Sequence, residues 1–143
     1  MGEERAIDLN RACNFPWLLT NVTFVDGHQI AHTKKYHIVE RGSYKVGFIG
    51  IAEFDWITTL TSIELDDVHY DDIVTSSDNW GQKLKNEHGC NFVIALTHMR
   101  VPNDVKLARE SKHVDLFLGG HDHVRNLLKN SKINQILIIF VIV

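Results

Sequence analysis

Two continuous apolar runs, each closed by histidine, leave this chain few ways to fold. Phe92-Val93-Ile94-Ala95-Leu96-Thr97 runs into His98, and Val114-Asp115-Leu116-Phe117-Leu118-Gly119-Gly120 runs into His121-Asp122-His123. Apolar runs without polar alternation read as strands covered on both faces, the habit of parallel sheets. Between them, Pro102-Asn103-Asp104 opens a helical stretch through Leu107 and Ala108, with Asn103 or Asp104 as its N-cap. Strand, helix, strand in this order is a βαβ unit, and its right-handed crossover brings both strand ends to one edge of the sheet. That carboxyl edge is where ligands bind in open α/β sheets.

The other segments agree with an α/β domain. Ala6, Leu9, Ala12 and Cys13 recur at helical spacing, so residues 3–13 read as a short helix. Asn14-Phe15-Pro16 ends it, because Pro16 drives Phe15 towards extended geometry. Trp17 to Val22 reads as an apolar strand, and Asp26-Gly27 as a turn. Lys35 to Val39 and Tyr44 to Ile51 read as a hairpin joined through Arg41-Gly42-Ser43. A short helix is expected over Glu53 to Leu60. A longer amphipathic one is expected over Asp71 to Glu87, burying Ile73, Val74, Trp80 and Leu84, with Gly89 behind its C-terminus. The run Ile136 to Val143 is wholly apolar but far shorter than the ~20 residues a bilayer requires. It reads as a buried strand or a damaged end.

Composition narrows the partners. At 143 residues, 44% hydrophobic and 23% charged, the chain suits one globular domain. A net charge of −3 without any basic run argues against a nucleic-acid partner. The first ten residues hold Glu3, Glu4, Arg5 and Asp8 and no apolar stretch, so no signal peptide is visible and the compartment stays open. Cys13 and Cys90, far apart in sequence, fit two free buried thiols or one disulfide.

The chemistry concentrates in three histidines. His98 and His121 sit at two strand ends that a βαβ unit brings together, and His123 lies two residues on. Glycine tolerates positive φ, so Gly119-Gly120 is expected to turn the chain and let the imidazoles face one point. Neutral imidazole binds Zn, Fe, Mn and related ions. Asp122 either orients an imidazole or faces solvent, and the second is favoured. Asp104 and Asp115 read as a helix cap and a strand-entry residue, the latter within a strand over Val114 to Leu118. Glu53, Asp55 and Trp56 read as a helix start with a packed tryptophan, or as pocket lining. His28, His32, His37, His69, His88 and His113 lie in polar stretches and read as surface residues.

At these residues the chain resembles the calcineurin-like metallophosphoesterase superfamily, and within it the 5′-nucleotidase family. Four segments carry the resemblance in the family's order: Asn14 to Val22, Val46 to Ile51, Val93 to His98, and Val114 to His123. The resemblance implies part of a four-layer α/β/β/α sandwich over residues 1–125, with a divergent or truncated apolar tail over 126–143. It implies a hydrolase of nucleoside 5′-monophosphates that uses water activated by two divalent metal ions, drawn from Zn, Mn, Fe, Co and Mg. His98 and His121 would bind one ion and His123 the other. Other metallophosphoesterases, acting on phosphodiesters, cyclic nucleotides or sugar phosphates, share these elements. The Asp-Xaa-His, Gly-Asp and Asn-His-Asp/Glu motifs of the family's N-terminal half are read as unmatched here, so the resemblance implies that the bridging carboxylate, the asparagine ligand and the acid histidine are missing, and no catalytic residue is assigned. The resemblance therefore implies the C-terminal half of a catalytic domain, with little turnover by itself. A non-catalytic remnant that self-associates through an exposed core, or binds a partner, is the rival reading.

Overall fold

The computed structural model describes residues 2–59 and 63–122, together with the backbone of 126–130 and 135–139. Helix α1 (Gly2–Ala12) is followed by β1 (Val22–Phe24), the hairpin strands β2 (Tyr36–Arg41) and β3 (Tyr44–Ala52), and helix α2 (Phe54–Thr58). Then come β4 (Val68–Tyr70), α3 (Ile73–Asn86), β5 (Phe92–Met99), α4 (Val101–Glu110) and β6 (Leu116–His121), and last β7 (Asn126–Asn130) and β8 (Gln135–Ile139). The main sheet has six strands in the order β2-β3-β5-β6-β8-β7, and β1 pairs with β4 in a small antiparallel sheet. β3, β5, β6 and β8 run parallel, while β2 and β7 close the edges antiparallel. The α/β class and the βαβ unit β5-α4-β6 are thus as the sequence predicts.

Two hydrophobic cores hold the layers. Helices α3 and α4 cover one sheet face, where Leu84, Leu107 and Ala108 pack against Ile49, Val93, Ala95 and Phe117. A second cluster, around Leu19, Val22, Ile30 and Ile57, joins the small sheet to α2. Along β5 the residues Val93, Ala95, Thr97 and Met99 are buried, whereas Phe92 and Leu96 on the opposite face are 49% and 39% exposed. The expectation of two covered faces therefore fails on this side among the described residues. Continuity of apolar side chains records what a face could bury, not which layer covers it.

Trp17 to Val22 is not the strand the sequence suggests. Leu18 makes one isolated bridge, to Lys34. The polar residues Thr20 and Asn21 use side chains to continue the pairing of β3 where β2 has run out. Gly50 N–H donates to Thr20 Oγ1 (2.8 Å), Ala52 N–H donates to Asn21 Oδ1 (3.0 Å), and Asn21 Nδ2 donates to the Ala52 carbonyl (2.9 Å). A β-carbon on Gly50 would run into the Leu18 carbonyl, so glycine is what admits this segment.

Helix α3 starts on the Asp72 cap, whose carboxylate accepts from Val74 and Thr75 N–H. Ile73 and Leu84 are buried as expected, while Val74 and Trp80 are only partly so. Residues 126–143 are described only through the β7–β8 hairpin, in which β8 extends the sheet beside β6. No helix among the described residues is long and apolar enough to cross a membrane.

Candidate metal centre

The parallel register brings the two histidine-bearing strand ends side by side. His98 pairs with Ala52 of β3 on one side and with Gly120 of β6 on the other, and Met99 pairs with His121. His98 Nε2 and His121 Nδ1 stand 3.2 Å apart, with ring centroids 5.0 Å apart and planes at 77°. Both lie inside strands rather than in loops: His121 closes β6, and His98 is the last residue but one of β5. His123 lies outside the described residues.

The turn is not made as the sequence suggests. Gly119 and Gly120 remain in regular strand pairing, and the positive φ belongs to His121 itself, at 104°. A β-carbon at Gly120 would meet the Thr97 carbonyl at 3.7 Å and His98 Nδ1 at 3.9 Å, ordinary contact distances, so space does not demand glycine there.

Three carboxylates lie behind the histidines, around the N-terminus of α4. That helix begins at Val101 with Arg100 as N-cap and Pro102 in its first turn, so neither Asn103 nor Asp104 is the cap. Asp104 points inward instead, 1% exposed, and accepts from Thr97 Oγ1 at 2.5 Å while its Oδ2 has no partner. Burial pushes its carboxyl up to about 7. The Thr97 hydrogen bond opposes that shift, and the neighbouring Glu53 and Asp122 charges add to it. Asp122 does not face solvent as favoured above, because its Oδ2 accepts from Val101 N–H at 2.7 Å. Glu53 does start α2, but its buried carboxylate reaches Arg100 N–H (3.1 Å) and Asn103 Nδ2 (2.6 Å).

The imidazole spacing fits a shared ion. Two nitrogens bound to one metal at ~2.0–2.1 Å with near-tetrahedral angles lie roughly 3.2–3.4 Å apart. The same 3.2 Å also suits an N–H···N hydrogen bond between the rings; for both nitrogens to hold an ion, the donor ring would carry its proton on its other nitrogen. Among the described residues, no group of three or more His, Cys, Asp or Glu could hold an ion. An apolar cavity of about 630 Å³ reaches His98 from the side of Trp17, Leu18 and Trp56.

The remaining candidates have local uses. Asp115 directly precedes β6, accepting from Val93 N–H and pairing with Lys85 at 2.8 Å. Trp56 is packed in the second core cluster, as expected of a helix start. His28, His32 and His69 are exposed, but His37, His88 and His113 are half-buried, because their strand and loops fold back on the sheet and on α3. His88 stacks at 5.1 Å on Tyr36, for example. Contrary to the reading that no Asp-Xaa-His is matched, the sequence holds two such tripeptides, Asp26 to His28 in the exposed turn after β1 and Asp67 to His69 entering β4, with His28 paired to Asp26 and His69 to Asp71. Both cysteines are free, Cys90 buried and Cys13 half-buried.

No protein-family model matches the chain. The snake venom 5′-nucleotidase of Crotalus adamanteus is 32% identical over 116 residues, 79% of this chain and 19% of that protein. The trifunctional nucleotide phosphoesterase YfkN of Bacillus subtilis is 31% identical over 88 residues, 62% of this chain and 6% of that one. Its crystal structure, a calcineurin-like phosphoesterase, matches at TM-score 0.65 and 26% identity over 86% of this chain and 41% of that chain. This chain is a relative of the 5′-nucleotidases among the calcineurin-like phosphoesterases. The NAD nucleotidase of Haemophilus influenzae shares the fold at TM-score 0.78 over 96% of this chain and 31% of that one, at 18% identity. The chain spans 6% to 19% of the length of the curated relatives it matches.

Proposed function

We propose that this chain carries part of the metal centre of a phosphoric monoester hydrolase of the 5′-nucleotidase type, acting on nucleoside 5′-monophosphates. The observation behind the reading is the imidazole pair at adjacent parallel strand ends, 3.2 Å apart on the edge where α/β sheets bind ligands. His98 and His121 would hold one divalent ion, and His123 would contribute to a second. Among Zn, Mn, Fe, Co and Mg, imidazole donors favour Zn and Fe, whereas Mn and Mg prefer oxygen donors. When bound, a pair of such ions polarises the phosphate and activates the attacking water.

The chain's own residues then have defined tasks. His98 and His121 would present ring nitrogens from adjacent parallel strand ends, and Asp122 accepts from Val101 N–H at the start of α4, which fixes the residue after His121. The names of the relatives support a nucleotide phosphoesterase. YfkN is trifunctional, so phosphodiesters, cyclic nucleotides and sugar phosphates stay as alternative substrates within the same chemistry. With three donors, the chain alone is expected to bind metal weakly and turn over little substrate.

Calorimetric titration with Zn²⁺ or Mn²⁺ tests the site. Binding should fall at least tenfold in His98→Ala and in His121→Ala. It should also disappear as pH drops below about 6, where imidazoles protonate. Retention at pH 5, or indifference to both substitutions, would refute histidine ligation. AMP hydrolysed by the purified chain at a metal-dependent rate, lost in either variant, would overturn the expected inactivity.

One observation favours the non-catalytic reading. The partly exposed apolar side chains of Phe92 and Leu96 on one sheet face suit self-association. Light scattering that shows a clean monomer would count against it.

A further inference from the structure

We propose that Glu53 is a positioning residue for this metal centre, holding the His98 peptide in place from the neighbouring strand; the inference rests on the metal reading above. Glu53 directly follows Ala52, the residue of β3 that pairs with His98. Its own N–H donates to the His98 carbonyl at 3.4 Å. Its Oε2 accepts from Arg100 N–H at 3.1 Å and from Asn103 Nδ2 at 2.6 Å. One residue thus grips the backbone on both sides of Met99, at the bend where β5 becomes α4.

The placement is unusual for its local role. Glu53 is the N-cap of α2, where a carboxylate ordinarily accepts from its own helix's first N–H groups. It makes no such bond. The side chain, only 4% exposed, crosses instead to the N-terminus of a different helix. A buried carboxylate without partners is strongly unfavourable, so these donors and the positive end of the α4 dipole are what make it tolerable there.

The rest of the bend is tied in the same way. Thr97 is bonded to Asp104 and Val101 to Asp122, so residues 97, 98, 100 and 101 are each fixed by a carboxylate-bearing residue. Of these contacts, the one from Glu53 N–H falls on His98 itself. Ligand imidazoles gain affinity when the groups around them fix their position before the ion arrives, and removing such groups costs about 10–100-fold.

The test uses the whole chain, Zn²⁺ titration calorimetry, and a circular-dichroism check that each variant is equally folded at the titration temperature. Glu53→Ala should weaken Zn²⁺ binding about 10–100-fold. Glu53→Gln places an amide oxygen where Oε2 sits, still accepts from Arg100 N–H and Asn103, and should stay within roughly threefold of the parent. Glu53→Asp keeps the charge but draws it back by one methylene, and should fall with Ala. If Glu53→Ala does not fold, the contrast between Gln and Asp decides. Parental affinity in Ala or in Asp, or an equal loss in Gln and Ala, would overturn the positioning role. An unchanged affinity in His98→Ala would sink the metal reading itself, which is a different failure.

Discussion

Replacing Asp104 by asparagine should remove most of a pH dependence that this one carboxyl imposes on folding. Asp104 is 1% exposed, and its folded-state pKa is pushed up to about 7 from 3.8, chiefly by burial and then by the Glu53 and Asp122 charges. Between those two values the folded chain holds a proton that the unfolded chain has released. The stabilisation is therefore fully present below pH 4 and is lost as pH rises through 7. A difference of about 3 units at about 1.36 kcal/mol each sets an upper limit of about 4 kcal/mol. Asparagine keeps an oxygen for Thr97 Oγ1 and carries no charge at any pH. Urea unfolding of both proteins at unit steps from pH 4 to pH 8 reads the effect directly. Subtracting the two profiles cancels other titrating groups and should leave a difference that drifts by several kcal/mol in favour of the variant as pH rises. Parallel profiles would mean that Asp104 ionises normally in the fold, by admitting water or shifting its side chain, and the argument from burial would fail.

Two further outcomes concern the scaffold. Gly81→Ala in α3 should destabilise the fold by about 1–3 kcal/mol, although alanine is the better helix former, because its β-carbon would lie 2.8 Å from the His113 carbonyl; a rise in the urea midpoint would refute the close approach. Asp72→Ala should cost about 1 kcal/mol at neutral pH by removing the α3 cap. Hydrogen bonds from Thr75 hold the Asp72 carboxyl below its ordinary value. That contribution is present above about pH 4 and lost as pH falls through the lowered pKa, so variant and parent should converge in acid.

What could be read from the sequence was what periodicity reports. The β2–β3 hairpin and the β5-α4-β6 unit follow from apolar runs and turn residues, and their register alone brings His98 to His121. What could not be read was the direction of polar side chains. Thr20 and Asn21 look like interruptions of a strand, yet they complete β3 by bonding to its backbone. Asp104, near a helix start, looks like a cap, because nothing local distinguishes a carboxylate that bonds its own helix from one that turns into the core. Glu53 carries no local signal at all, since its partners are 47 and 50 residues away. The positive φ falls at His121 and not at Gly119-Gly120, because glycines permit positive φ without requiring it.

His121 occupies backbone territory in which an imidazole-bearing residue pays of order 1–3 kcal/mol relative to a relaxed conformation. Glycine at 121 would relieve that penalty and lengthen the Gly119-Gly120 pair into a triplet. Thermodynamic fitness and chemical usefulness thus pull against each other at a single position. Descendants that keep the scaffold but abandon its chemistry should lose this histidine to glycine sooner than they lose His98, whose backbone carries no such burden.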